Sequence, residues 1–341
     1  VELKLNTIYN MDCREGLKKL KDKSIDTCVT SPPYWGLRDY GVDGQLGLEE
    51  TPEEYVSSIV EIFREVKRVL KNEGTLWLNL GDSYAGSGKG QWEEGKGQKE
   101  TYIATKDSLQ CKIPKTPNGL KPKDLVGIPW MVAFALRADG WYLRSDIIWN
   151  KPNPMPESVQ DRPTKAHEYI FLLSKSKNYY YDKDAIMEPL AQSSIQRLQQ
   201  DIDSQNGSSR ANGGSKLNGN MKAVFTVRGS KGIIGNPNSG RREEDKTIEV
   251  PIGRNKRTVW TIPTAKFSEA HFATFPPELI EPCVLAGSPS GGIVLDPFMG
   301  SGTTAMVAVR NQRNYIGFEL NSDYIQIAKK HRLNKVQLQM I

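Results

Sequence analysis

The chain has 341 residues, with 46 Lys and Arg against 40 Asp and Glu and a net charge of +6, a length that suits one large α/β domain carrying an inserted module, or two ordinary domains. Four cysteines (Cys13, Cys28, Cys111 and Cys283) lie far apart and only 3 histidines occur, so neither a disulfide framework nor a zinc site is indicated. The first residues carry no apolar block, and no stretch approaches the ~20 apolar residues of a membrane span, so the expectation is a cytoplasmic protein with reduced thiols, no membrane segment and no metal.

Residues 5–10 read as a short strand that ends at Asp12 and Cys13, followed by a helix with Leu17 and Leu20 turned inward. A second strand, 24–30, delivers Ser31. Residues 52–71 are the clearest helix: Thr51 caps it with Glu54 three positions on, Pro52 opens it, and Tyr55, Ile59, Ile62, Phe63, Val66 and Leu70 share one face. Asn72, Glu73 and Gly74 are expected to stop it, with a buried strand at 75–80 and a turn at Gly81, Asp82 and Ser83 into a Gly/Lys-rich loop, 86–121. A helix at 129–138 precedes two strands, 145–149 and 168–173, separated by the proline-rich loop 151–156. Beyond a polar stretch come a helix at 277–286, a strand at 293–295, a helix at 303–311, a strand at 315–319 and a final helix at 322–334. Strands alternating with helices imply a mainly parallel sheet covered on both faces.

The charge is uneven. Residues 196–260 hold 12 Lys and Arg against 6 Asp and Glu, which equals the surplus of the whole chain, together with 9 glycines and few large apolar side chains. Such a segment cannot bury much core alone and reads either as a surface for a polyanion or as a solvated linker.

Two motifs carry the chemistry. Ser31-Pro32-Pro33-Tyr34 closes the second strand; two prolines can continue neither a ladder nor a helix, so they form a stiff bend that presents carbonyls and an aromatic face. Asp296-Pro297-Phe298-Met299-Gly300-Ser301-Gly302-Thr303-Thr304 closes the strand at 293–295 and turns into a helix, placing backbone N–H groups and a carboxylate where open α/β sheets bind ligands. An acid at the end of the next strand, Glu319, can accept ribose hydroxyls. Ala305 stands where a dinucleotide-binding loop would have its third glycine.

Together these motifs resemble those of the amino-group DNA methyltransferases, and the order, catalytic motif first and cofactor motif last, resembles their beta class. The resemblance covers roughly 1–180 and 265–335. It implies a Rossmann-like mixed seven-stranded sheet, mainly parallel with one antiparallel strand, circularly permuted and carrying a basic target-recognition insertion. Residues 1–185 would form the catalytic half, 186–264 the target-recognition region and 265–341 the cofactor half. S-adenosylmethionine is the implied cofactor: Asp296, Pro297, Phe298, Gly300, Ser301, Gly302, Thr303 and Thr304 would hold its methionine part, with Thr274 and Phe275 beneath, Glu319, Leu320 and Asn321 its ribose, and Asp12 and Cys13 its adenine. Asp12 reads equally as a helix N-cap.

At the transfer site Ser31 and the Pro32 carbonyl would accept hydrogen bonds from the target amine, Pro33 would stiffen the bend, and Tyr34 would stack on the base. Asn79 and Asp82, at the end of the neighbouring strand, are the candidates for a proton acceptor or relay, Asp82 reading otherwise as an Asx-turn opening the loop; Trp35, Trp149 and Lys151 either line the pocket or simply pack. Arg228, Lys231, Arg241, Arg242, Arg254, Lys256 and Arg257 are the expected DNA contacts. Serine in the first position favours cytosine N4 by family association, with adenine N6 the alternative. The expected partner is double-stranded DNA, the chain being a monomer or homodimer with a cognate restriction endonuclease, if any, acting separately. A nicotinamide-dependent enzyme would leave Ser31 to Tyr34 without purpose, and a non-catalytic DNA-binding protein would need no cofactor.

Overall fold

The computed structural model describes residues 3–37, 42, 44–86, 116, 119–193, 195, 253–264 and 275–334, and the chain divides into two compact units, Val1–Ile186 with Arg257–Ile341, and Met187–Lys256. The first unit is built in the order β1 (Thr7–Asn10), α1 (Cys13–Lys18), β2 (Ile25–Thr30), α2 (Pro52–Val69), β3 (Leu70–Leu80), α3 (Ile128–Ala138), β4 (Tyr142–Asn150), β5 (His167–Ser174), β6 (Val259–Thr261), α4 (Pro277–Gly287), β7 (Ile293–Asp296), α5 (Thr303–Arg310), β8 (Asn314–Glu319) and α6 (Ser322–Ile327). The strands form one 8-stranded sheet in the order β1-β8-β7-β2-β3-β5-β4-β6. Only β5 runs against its neighbours; every other pairing is parallel.

The sheet has eight strands where seven were expected. The addition is β6, a parallel edge strand whose Val259, Trp260 and Thr261 pair with Ile148, Trp149 and Asn150. Three residues behind a run of arginine and lysine show no readable alternation, and Trp260 is the one buried side chain among them.

The central strand β2 is buried along its whole length, as a parallel strand covered on both faces must be. Its polar side chains are all satisfied: Asp26 accepts from Lys71 Nζ at 2.7 Å and Ile293 N at 2.8 Å, the Thr27 and Thr75 hydroxyls lie 2.9 Å apart, and Thr30 Oγ1 donates to Asp296 Oδ1 at 2.6 Å. Helix α2 opens with the expected capping box between Thr51 and Glu54 and buries Tyr55, Ile59, Ile62, Phe63 and Val66. It stops at Val69, earlier than expected, because Leu70 is already extended and pairs with Ile25. A buried leucine at that position serves a helix face and a strand equally well, so local pattern cannot decide between them.

One apolar layer, including Leu17, Phe63, Leu136 and Leu76, lies against α1 to α3, and another, including Leu279, Val284, Val307 and Trp77, against α4 to α6. Adjacent Leu76 and Trp77 of β3 thus enter opposite layers, as strand alternation requires. The last helix is regular only to Ile327 and continues as a π-helical stretch, Ala328–Leu333.

In the Met187–Lys256 unit, Glu188 and Arg254 form an antiparallel bridge with both N–H···O distances at 2.9 Å. Among the described residues no helix is long and apolar enough to cross a membrane, and no group of three or more His, Cys, Asp or Glu is placed to hold a metal.

Candidate active site

The carboxyl ends of β1, β8, β7, β2 and β3 open on one edge of the sheet, and a cavity of about 280 Å³ lies there, the ligand position of open α/β sheets. Ser31, Pro32, Pro33 and Tyr34 line it together with Asp12, Cys13, Phe275, Pro297, Phe298, Gly300, Ser301, Thr303, Glu319, Leu320 and Asn321. Residues separated by nearly the whole chain therefore share one space. Asp296, Gly302 and Thr304 stand behind its wall.

Asp296 is 1% exposed and fully engaged: Oδ1 accepts from Thr30 Oγ1 at 2.6 Å and Phe298 N at 3.0 Å, and Oδ2 from Thr304 Oγ1 at 2.6 Å. Burial pushes its carboxyl up to about 6 in spite of these donors. Asp296 and Thr304, expected to touch the cofactor, instead lock the turn and tie it to the residue before Ser31. Gly302 has φ +80°, and a Cβ there would lie 2.7 Å from Ala328 Cβ, so only glycine lets the turn close on α6 and its continuation.

The face turned to the cavity keeps its polar atoms available. Ser301 Oγ is buried without a hydrogen-bond partner among the described residues. Glu319 accepts from Gly300 N and from Asn321 N, each at 2.8 Å, and its pKa is raised by burial against those bonds. Each carboxylate oxygen retains a lone pair for a ligand hydroxyl. Asp12 caps α1 by accepting from Arg14 N at 2.7 Å and also lines the cavity. Burial raises its pKa, but the hydrogen bonds and charge of Arg14 outweigh that and hold it below the ordinary carboxylate value. Burial and the Asp12 charge push the Cys13 thiol up to about 12, so it stays a neutral wall. An orphaned buried hydroxyl, two acids and a glycine turn fit a ligand with hydroxyls, a positive centre and a polar ring. Thr274 lies outside the described residues.

The bend after β2 is pinned from two sides. Tyr55 OH, on α2, donates to Pro33 O at 2.9 Å, and the Tyr34 ring packs on Gly81, where a Cβ would lie 2.5 Å from Tyr34 Cε2. Ser31 Oγ donates to the Tyr34 hydroxyl at 3.4 Å, which lies 2.9 Å from Glu168 Oε2 and 3.1 Å from Asn79 Oδ1. Asn79 Nδ2 donates to Glu168 Oε2 at 3.3 Å and to Tyr169 O at 3.1 Å. Lys151 Nζ is paired with Glu168 Oε1 and sits 4.2 Å from the centre of the Trp149 ring. Burial, and the charge of Glu168, push the Tyr34 phenol well above its ordinary value.

Asn79, Trp149 and Lys151 join the cavity as candidates from the sequence, whereas Trp35 is buried with its Nε1 bonded to Glu49 O at 2.9 Å. Glu168 was missed. Its only signal was a carboxylate heading an apolar strand, and the hairpin that opposes it to Trp149 is what brings it in. Asp82 is not at the cavity: its Oδ1 accepts from Ser83 N at 2.9 Å, Gly127 N at 2.9 Å and Ile128 N at 3.1 Å, holding the start of α3. The Gly127 and Ile128 bonds tie Asp82 to the start of α3, 45 and 46 positions on, and not to a local turn opening the loop.

Of the expected DNA contacts, Arg254 pairs with Glu188 at 3.2 Å, Lys256 is half-buried and Arg257 is exposed. Arg228, Lys231, Arg241 and Arg242 lie outside the described residues.

A family profile described as DNA methylase matches residues 25–330. The Type II methyltransferase M.Cfr9I of Citrobacter freundii is 43% identical over 328 residues, which cover 96% of this chain and 88% of that protein. M.SmaI of Serratia marcescens, also a Type II methyltransferase, is 43% identical over 95% of this chain and 89% of its own length. Among solved structures the cytosine-N4-specific PvuII DNA methyltransferase has the same fold, with a TM-score of 0.57 at 17% identity over 98% of this chain and 91% of that one. A Thermus thermophilus protein described as a DNA modification methylase, solved with S-adenosyl-L-methionine, has a TM-score of 0.53 at 22% identity over 95% of this chain and 92% of its own.

Proposed function

The chain belongs to the DNA methylase family, and from that premise we propose that it methylates the exocyclic N4 of a cytosine flipped out of double-stranded DNA. The observation that carries this reading is the single cavity shared by the Ser31 bend and the Glu319 and Ser301 cradle.

The cofactor of this family is S-adenosylmethionine, which when bound supplies an electrophilic methyl on a sulfonium. The chain's own residues do the positioning. Glu319 is assigned to the ribose hydroxyls, Asp12 and Cys13 to the adenine, and Gly300, Ser301 and Thr303 to the methionine end. Ser31 Oγ and the Pro32 carbonyl accept from the amine and turn its lone pair out of conjugation, and Pro33, held by Tyr55, keeps the bend from yielding. Correct placement of the two reactants is the largest part of such a rate enhancement. The Tyr34 ring offers a stacking surface worth ~1–3 kcal/mol, set against the few kcal/mol that flipping costs. Contacts of residues 186–264 with phosphates, among them Arg241 and Arg242, would supply the rest.

Cytosine is favoured by the family association of serine at the first position of the motif; the hydroxyl of Ser31 accepts from either base's amine and passes on a proton. As relatives of the chain are Type II methyltransferases, we place it in a restriction-modification pair with a separate endonuclease. Nucleoside mass spectrometry of DNA methylated in vitro tests the base. N4-methylcytosine is expected, and N6-methyladenine as sole product would reject the cytosine assignment while leaving the cofactor site intact.

A further inference from the structure

We propose that Glu168 is the proton acceptor of the transfer reaction, reached from Ser31 through the Tyr34 hydroxyl and balanced by Lys151. The inference rests on the reading of Ser31 as the acceptor for the target amine.

An amine that gains a methyl becomes a cation with one proton too many, and an N–H bond must break so that its electron pair returns to nitrogen. Ser31 can take that proton only by giving up its own. The next oxygen along is Tyr34 OH at 3.4 Å, and the next is Glu168 Oε2 at 2.9 Å. Each hydroxyl gives one proton as it takes one, so both end unchanged and Glu168 alone ends as the neutral acid. No redox partner is involved. The 3.4 Å step is long, and hydrogen bonds of this kind tighten in the Michaelis or transition-state complex.

Three further observations single out Glu168. Asn79, 4% exposed, bridges Tyr34 and Glu168, donating to Glu168 Oε2 with Nδ2 at 3.3 Å and accepting from Tyr34 OH with Oδ1 at 3.1 Å, and Lys151 holds Glu168 Oε1. The side chains of Glu168 and Lys151 are 16% and 18% exposed, so the acid is shielded within the site yet open enough to return its proton to water. Asp82, the other carboxylate near this strand end, does not line the cavity, and its Oδ1 accepts from the backbone N–H groups of Ser83, Gly127 and Ile128. A purely structural ion pair would need neither the tyrosine hydroxyl nor its alignment with Ser31.

The test compares Glu168→Gln, Tyr34→Phe and the double variant in single-turnover methyl transfer to DNA, with cofactor affinity measured alongside. Both replacements keep shape while removing an acceptor or a link. Cofactor affinity should be unchanged and the transfer rate should fall ~10²–10⁴-fold in each. The double variant should be no slower than the slower single, because a broken relay cannot be broken twice. The solvent deuterium isotope effect of the parent should shrink in both. A rate within about threefold of the parent in either variant, or losses that multiply in the double, would overturn the relay. Should Glu168→Gln lose cofactor binding through misfolding, Tyr34→Phe decides alone. A parent that methylates no base amine removes the underlying reading as well, whereas a parent and Glu168→Gln that methylate equally remove only the relay.

Discussion

Asp296 has the clearest pH signature of any residue in the site. Its folded-state pKa, about 6, lies above the ordinary aspartate value because burial outweighs three hydrogen bonds. The folded chain therefore binds this proton more tightly than the unfolded chain. The resulting stability is fully present below the unfolded pKa and is lost as pH rises through about 6, by ~3 kcal/mol in all. Asp296→Asn should remove that dependence, since Thr304 Oγ1 can then accept from the amide and turn its proton to Val29 O, 3.4 Å away. The difference in melting temperature between parent and variant, followed from about pH 4 to 7 across that titration, should shift in favour of asparagine as pH rises; a constant difference would refute the assignment. Glu319→Ala, by contrast, removes acceptors on the cavity wall itself and should weaken cofactor binding by ~1–3 kcal/mol. Ser31→Ala should leave that affinity alone while turnover falls, and isothermal titration beside a methyl-transfer assay separates the two effects.

At the scale of elements, two turns shape the site, and each needs glycine, the β7–α5 turn at Gly300 (φ +52°) as well as at Gly302. The β7–α5 turn closes only because Gly302 adopts φ +80°, at a point where a Cβ would come within 2.7 Å of Ala328 Cβ. Gly302→Ala meets both strain and a clash with a helix that cannot retract, so the turn must shift and cofactor affinity should drop at least ~tenfold. The bend after β2 rests on Gly81 at the end of β3. Gly81→Ala would push the Tyr34 ring by its Cε2 edge, and turnover should fall with little change in cofactor affinity. Equal losses in both quantities would show that the two turns are not independent. Between them, Asp296 links β7 to Thr30 of β2, which is why the cradle and the bend keep a fixed separation.

Along the whole chain the positive surplus falls within residues 196–260, and the remaining sequence is neutral. If that surplus meets DNA phosphates, Arg241→Ala with Arg242→Ala should lower affinity and reduce the slope of log affinity against log salt by about 2. An unchanged slope would refute the contact. Arg254→Ala is a different experiment: it breaks the Arg254–Glu188 ion pair and should cost stability in the Met187–Lys256 unit as well.

The sequence by itself determined the alternation of strands and helices, the two turn motifs and the family they belong to, because prolines, glycines and cap residues act on their own few neighbours. Thr51 and Glu54 form their capping box wherever the helix packs, and Ser31 follows a strand in any register. Side chains that act across the sheet were decided only by tertiary structure. Nothing near Glu168 in sequence indicates that it will face Tyr34, 134 positions away. Asp296 looked like a ligand contact until its three donors, one of them 266 positions distant, were in place. Asp82 read as a relay or as a local turn, and neither reading contains Gly127 and Ile128, whose N–H groups its Oδ1 accepts from. The physical reason is common to all three: a carboxylate's role is set by which donors reach it, and in a parallel sheet those donors arrive from strands far apart along the chain.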